Sequence, residues 1–101
     1  MIIEGDWPTR VVKVNHRVLS AARSQRVWNH SPDGFNWGYS GSGPAQLALA
    51  LLLRAGCSHE LAVRLHQQFK HDVIAPLPQR DFRIEVDVAQ WIAKQGVRND
   101  V

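Results

Sequence analysis

The chain has 101 residues and a mass of 11.4 kDa, with 45% hydrophobic residues, 21% charged residues and a formal net charge of +3. That length makes one domain, and area scaling buries about two thirds of the unfolded chain's surface, enough for one modest core. The composition excludes disorder, and the single Cys57 excludes an intrachain disulfide or a multi-thiolate metal site.

No basic-then-apolar leader opens the chain, and the apolar run 47–53 is too short to cross a bilayer, so the expected setting is cytoplasmic. Val11, Val12 and Val14 are β-branched and predict a strand, which Asn15-His16 turns into a second short strand over 17–19. This region is also charged on one side only. No acid lies between Asp6 and Asp33, whereas Arg10, Lys13, Arg17, Arg23 and Arg26 place five positive charges there. With Trp7, His16, Trp28 and His30 between them, these residues suit contact with nucleic acid or an acidic protein. They equally suit the solvated face of a strand pair. Residues 21–29 are ambiguous, Val27-Trp28 being a candidate for another strand. His30-Ser31-Pro32-Asp33-Gly34 is a turn cluster, and Phe35-Asn36-Trp37 alternates like a short strand.

Pro44 opens a helix at its first helical position and Gly56 closes it. Between them only Gln46 and Arg54 are polar. A helix apolar on all sides is a central core helix or part of an oligomer interface, and its excess apolar surface predicts a homodimer. Ser58 caps a second helix, with Glu60 near its positive end. On it Leu61, Leu65, Phe69 and Val73 step by four, and it ends before Pro76 and Pro78. Phe82-Arg83-Ile84 predicts a short strand. Val88, Trp91 and Ile92 predict a last helix, stopped at Gly96. The fold class is α+β: a small N-terminal antiparallel sheet packed on two central helices plus a short C-terminal helix.

The loop before the first long helix reads Phe35-Asn36-Trp37-Gly38-Tyr39-Ser40-Gly41-Ser42-Gly43-Pro44-Ala45-Gln46-Leu47-Ala48-Leu49. It resembles the F-x-W-G-Y-x-G-S-G-P-A-Q-L-A-L core of an uncharacterised family of small prokaryotic and phage proteins, a domain of unknown function. Phe69-Lys70 and the Trp91 helix resemble the same family. The resemblance implies no reaction, but it implies a phage or mobile-element setting and so an accessory or anti-defence role.

Read from its residues, this loop runs into a helix N-terminus, where unpaired N–H groups and the helix dipole favour an anion. Ser40 and Ser42 add hydroxyls, Trp37 and Tyr39 add flat surfaces for a base, and Gly41 and Gly43 permit close approach. Together these residues suit a phosphate-bearing ligand or nucleotide. Pro44 removes one N–H donor, and the phosphate-loop lysine is absent. The competing reading is a tight loop whose glycines serve packing and whose aromatics enter the core.

Other chemistry finds little support. Gly-x-Ser-x-Gly does not occur, and Cys57 reads as a half-buried bystander. His59, His66 and His71 share one predicted helix at spacings that do not chelate one ion, and they read as surface histidines. Asp72, Asp81, Glu85 and Asp87 read as caps and solubilising charges of the C-terminal helix. The function expected is therefore a non-enzymatic accessory protein without metal or cofactor. It would bind a phosphate-bearing ligand through Trp37, Tyr39, Ser40, Gly41, Ser42 and Gly43. The alternative is an anti-CRISPR-like inhibitor that docks on a host nucleoprotein complex through Arg10, Lys13, Arg17, Arg23 and Arg26.

Overall fold

The computed structural model describes residues 1–96. Its sheet has four antiparallel strands in the order β3-β2-β1-β4, formed by β1 (Ile2–Asp6), β2 (Val11–Val14), β3 (Arg17–Val18) and β4 (Phe82–Glu85). Four helices complete the α+β fold: α1 (Ala22–Val27), α2 (Ser42–Arg54), α3 (His59–Phe69) and α4 (Val88–Lys94). The expected sheet is present, with two additions. Ile2–Asp6 is its central strand, and β4 returns from late in the chain to pair with it.

Register sorts the side chains. Ile3 lies opposite Val14 and Ile84, and Gly5 opposite Val12 and Phe82, so these residues face the core. On the outer face Glu4 lies between Lys13 and Arg83, and His16 Nδ1 sits 3.2 Å from Glu4 Oε1. The β2–β3 turn is the two-residue Asn15-His16 link, with φ of 48° and 68°, the left-handed pair that matches strand twist.

Helix α2 is the centre of the molecule. Every residue from Gly43 to Leu53 is buried, and its five leucines share one core with Ile3, Val12 and Val14. Each fully buried leucine contributes about 1.5–3 kcal/mol. Its other faces meet α1 and α3, so one chain covers all the apolar surface that motivates a homodimer. The helix begins two residues before Pro44, which therefore occupies the third position of its first turn, where an N–H is still unpartnered. It ends in a Schellman motif: Cys57 N–H donates to Leu52 C=O (3.1 Å) and Gly56 N–H to Leu53 C=O (3.0 Å), with Gly56 at φ 99°.

Two expected strands are absent. Residues 22–27 coil into α1, so Val27 ends a helix and Trp28 is its C-cap. Phe35, Asn36 and Trp37 form no ladder, because Phe35 and Trp37 are turned into the core beneath the start of α2. Helix α3 is capped by Ser58, which accepts from Leu61 N–H, and stops at Phe69 rather than Val73. There it widens into a π-helical turn, Lys70–Ile74, closed by Ala75 N–H donating to Lys70 C=O (2.8 Å). The acids near the C-terminus divide their work. Asp87 caps α4 by accepting from Gln90 N–H, Asp72 accepts from the Trp91 indole, and Asp81 accepts from Trp7 N–H. Among the described residues no helix is long and apolar enough to cross a membrane.

Candidate functional site

The start of α2 borders a mostly polar depression of ≈ 520 Å³, lined on its working side by Arg10, Ser31, Asn36, Tyr39, Ser42 and Gly43. Asp33 adds one carboxylate to the rim. Arg10 reaches this place from the β1–β2 hairpin, where its N–H donates to Asp6 C=O (2.7 Å) and its φ is 60°. Glycine or asparagine adopts that conformation easily, whereas arginine is strained there by about 1–2 kcal/mol. The strain places the guanidinium 3.4 Å from the centre of the Trp7 ring, donating to Trp7 C=O and, through Nε, to Asn36 Oδ1 (3.0 Å). Stacking of this kind holds the planar cation rigid. Among the described residues the one ion pair is His16 with Glu4, so no carboxylate neutralises Arg10.

Two glycines of the loop have a packing reason. A Cβ on Gly43 would lie 2.6 Å from Asn36 Cβ and 3.2 Å from Asn36 N, and one on Gly41 would lie 2.5 Å from the Tyr39 ring. The close approach at Gly43 also brings Asn36, and with it Arg10, to the helix start. Packing and polarity therefore arise from the same contact.

The residues expected to bind separate into groups. Trp37 is fully buried, its indole N–H donating to Arg80 C=O (3.0 Å) and its ring set edge-on to Phe82 and Trp7. It is a core residue and presents no face to a base. Tyr39 is exposed at the rim, Ser42 lines the depression, and Ser40 points to solvent outside it. The basic residues are dispersed: Arg10 joins the loop, Lys13 lies beside Glu4 on the outer sheet face, and Arg17 is on β3. Arg23 and Arg26 are on α1. Arg23 shares a separate hollow of ≈ 210 Å³ with Val18 and Arg54.

A second constellation lies behind the loop. Ser24, Gln46 and His66 are the buried polar residues among those described; Gln46 and His66 bond the segment 28–31 directly, and Ser24 holds the Gln46 amide. Gln46 Oε1 accepts from His30 N–H (2.8 Å) and Ser31 N–H (3.0 Å). Its Nε2 donates to Ser24 Oγ (2.9 Å) and Trp28 C=O (3.1 Å), so the amide is fully used. His66 Nδ1–H donates to Val63 C=O (2.6 Å), which leaves Nε2 as an acceptor facing His30 Nε2 at 2.9 Å. His30 must then supply the proton of that bond. Burial pushes both imidazoles below their usual pKa; at His30 the neighbouring His66 and then Lys70 push the same way, and at His66 Lys70 does. Trp28, half exposed, stacks on His30 at 4.4 Å and 26°, with His66 edge-on to it.

His66 is thus no surface histidine. It belongs to the stripe Ala62, Leu65, His66 and Phe69, the i, i+3, i+4, i+7 face that α3 buries, and that spacing was its signal. His59 and His71 are exposed as expected. Cys57 is half buried, and burial pushes its thiol up, away from the thiolate. Among the described residues no three His, Cys, Asp or Glu side chains converge on a metal position.

Fold and site define a small α+β domain with a strained arginine at a glycine-rich helix start and a pinned aromatic segment behind it. Residues 6–94 match the DUF6166 family, a family of unknown function, and the chain belongs to it. No curated protein and no solved structure matches the chain.

Proposed function

We propose that the protein is a non-enzymatic binding protein for a phosphate-bearing small ligand, held between Arg10 and the first turn of α2. The observation that carries this reading is Arg10 itself: a left-handed arginine, stacked on Trp7, bonded to Asn36 and without a carboxylate partner among the described residues, lining the same depression as Ser42 and Gly43. Backbone strain is retained where surrounding structure holds it, and here what it delivers is a rigid cation beside helix-start N–H groups. Ser42 supplies a hydroxyl donor and Tyr39 a flat wall at the rim.

Thermal shift and titration calorimetry with inorganic phosphate, pyrophosphate and a panel of nucleotides test the reading. At least one of these raises the melting temperature of the wild type. Arg10→Ala abolishes the response, and Ser42→Ala weakens binding by about 1.5–3 kcal/mol, one hydrogen bond to a charged group. A wild type indifferent to every anion would assign the loop to architecture alone.

A further inference from the structure

Among the described residues the buried polar side chains form one network around a short segment, Ser24 acting through Gln46, and what that segment displays is an indole. Gln46, itself held by the Ser24 hydroxyl, fixes the backbone of Trp28, His30 and Ser31, and His66 fixes the His30 ring on which Trp28 lies. Trp28 nevertheless leaves 48% of its surface in water. One face is stacked on His30 at 4.4 Å and the ring meets His66 in a T-shaped contact, so the indole is backed by both imidazoles while about half of its surface stays open. A buried, saturated polar network is costly to assemble and rigidifies what it holds. Its product here is a flat, preorganised aromatic face.

The surroundings of that face are cationic. Arg26 is exposed on the last turn of α1, two residues before Trp28, and Lys70 follows His66 by one helical turn, where α3 passes into the π-helical turn. Neither is paired with a carboxylate within the described residues. Asp72, two residues beyond Lys70, has both oxygens occupied by Gln68 and the Trp91 indole. The other exposed large apolar residues, Val11, Val18 and Tyr39, belong to the sheet and the glycine loop, so Trp28 is not part of an apolar groove. A lone stacked indole with unpaired cations on the neighbouring turns fits a base and its flanking phosphates better than it fits a peptide.

We propose that Trp28, backed by His30 and flanked by Arg26 and Lys70, is a base-stacking platform that binds single-stranded nucleic acid. This surface uses none of the residues assigned to the phosphate depression, so the two readings stand or fall separately. The test is fluorescence anisotropy with a labelled oligothymidylate of about 15 nucleotides, with a duplex of equal length as control. Trp28→Ala weakens single-strand binding about 5- to 100-fold, while Trp28→Phe, which keeps a ring, retains most of it. Arg26→Ala with Lys70→Ala lowers the slope of log K against log salt by about 1.4, two single-strand phosphate contacts. Arg10→Ala leaves oligonucleotide binding unchanged. Wild-type protein that ignores the oligonucleotide would overturn the proposal. So would a Trp28→Ala variant that melts normally and binds equally well, a duplex bound as tightly as the single strand, or a Trp28-dependent protein partner without oligonucleotide binding.

Discussion

His30 and His66 meet Nε2 to Nε2 at 2.9 Å, and because the Val63 carbonyl claims the other nitrogen of His66, this bond forms only while His66 is neutral. The pair joins the loop after α1 to the end of α3, so it ties the aromatic segment to the helical core. Both imidazoles titrate lower in the folded protein than the ordinary 6.5. Stability that depends on them is complete above about pH 6.5 and falls as pH drops further, because the unfolded chain then takes up protons that the folded pair refuses. Urea midpoints should hold steady between about pH 8 and 7 and decline toward about pH 5. His66→Leu should lower the plateau by about 1–3 kcal/mol and make the decline shallower. Equal slopes in variant and wild type would place the pH dependence elsewhere.

Gln46 is the polar residue inside an otherwise apolar helix, and its amide satisfies four groups at once. Gln46→Leu keeps the size, leaves Ser31 N–H without its partner and leaves Trp28 C=O with only the His30 N–H (3.2 Å). Denaturant unfolding should show a loss of about 2–4 kcal/mol. Gln46→Glu should be worse at neutral pH, since a buried carboxylate cannot donate to Trp28 C=O. Its folded-state pKa would be raised, so its stability should recover as pH falls.

Gly5 faces the core from the central strand, and a Cβ there would lie 2.3 Å from the Phe82 ring and 2.9 Å from Trp37. Gly5→Ala overpacks an aromatic cluster and should cost about 1–3 kcal/mol, read as a lower melting temperature. Gly34, at φ 107° with nothing within 4 Å of a Cβ, is the contrasting case. Alanine there should cost only backbone strain, about 1 kcal/mol. Equal losses at the two positions would contradict the packing account.

Arg10→Gly separates function from stability. Glycine accepts φ 60° freely, so the melting temperature should hold or rise although the Trp7 stack is lost, and the response to phosphate should vanish. Gly43→Val acts in the opposite sense. Its branched side chain meets Asn36 backbone that cannot move aside, and about 1–3 kcal/mol of stability should be lost without any ligand present.

Local chemistry was readable wherever a residue acts through its own backbone or its immediate neighbours. Gly56 ends α2, Ser58 caps α3, Asn15-His16 turns β2 into β3, and the apolar run of α2 marks a helix that needs cover on all sides. These follow from φ preference, capping and periodicity, which need no tertiary context. Burial of His66 runs against its reading as a surface histidine, although the spacing of the α3 stripe carried the signal; its partner left no trace in the sequence. Pairing across long separations was beyond pattern reading. Nothing in Ile2–Asp6 announces the central strand, because its partners, β2 and the distant β4, supply the ladder. Val27-Trp28 and residues 35–37 carry strand-like side chains, yet contact with α2 and burial beneath it override that propensity. The same holds for the sites. Composition showed five cations near the N-terminus, but whether a cation meets an anion depends on which residues fold beside it. The tertiary structure brought Arg10 to Asn36 and the start of α2, set Lys13 against Glu4, and sent Trp37 inward while leaving Trp28 in water. Side-chain identity sets what a group can do; only the packed chain, by choosing its neighbours and its exposure, sets where it can do it.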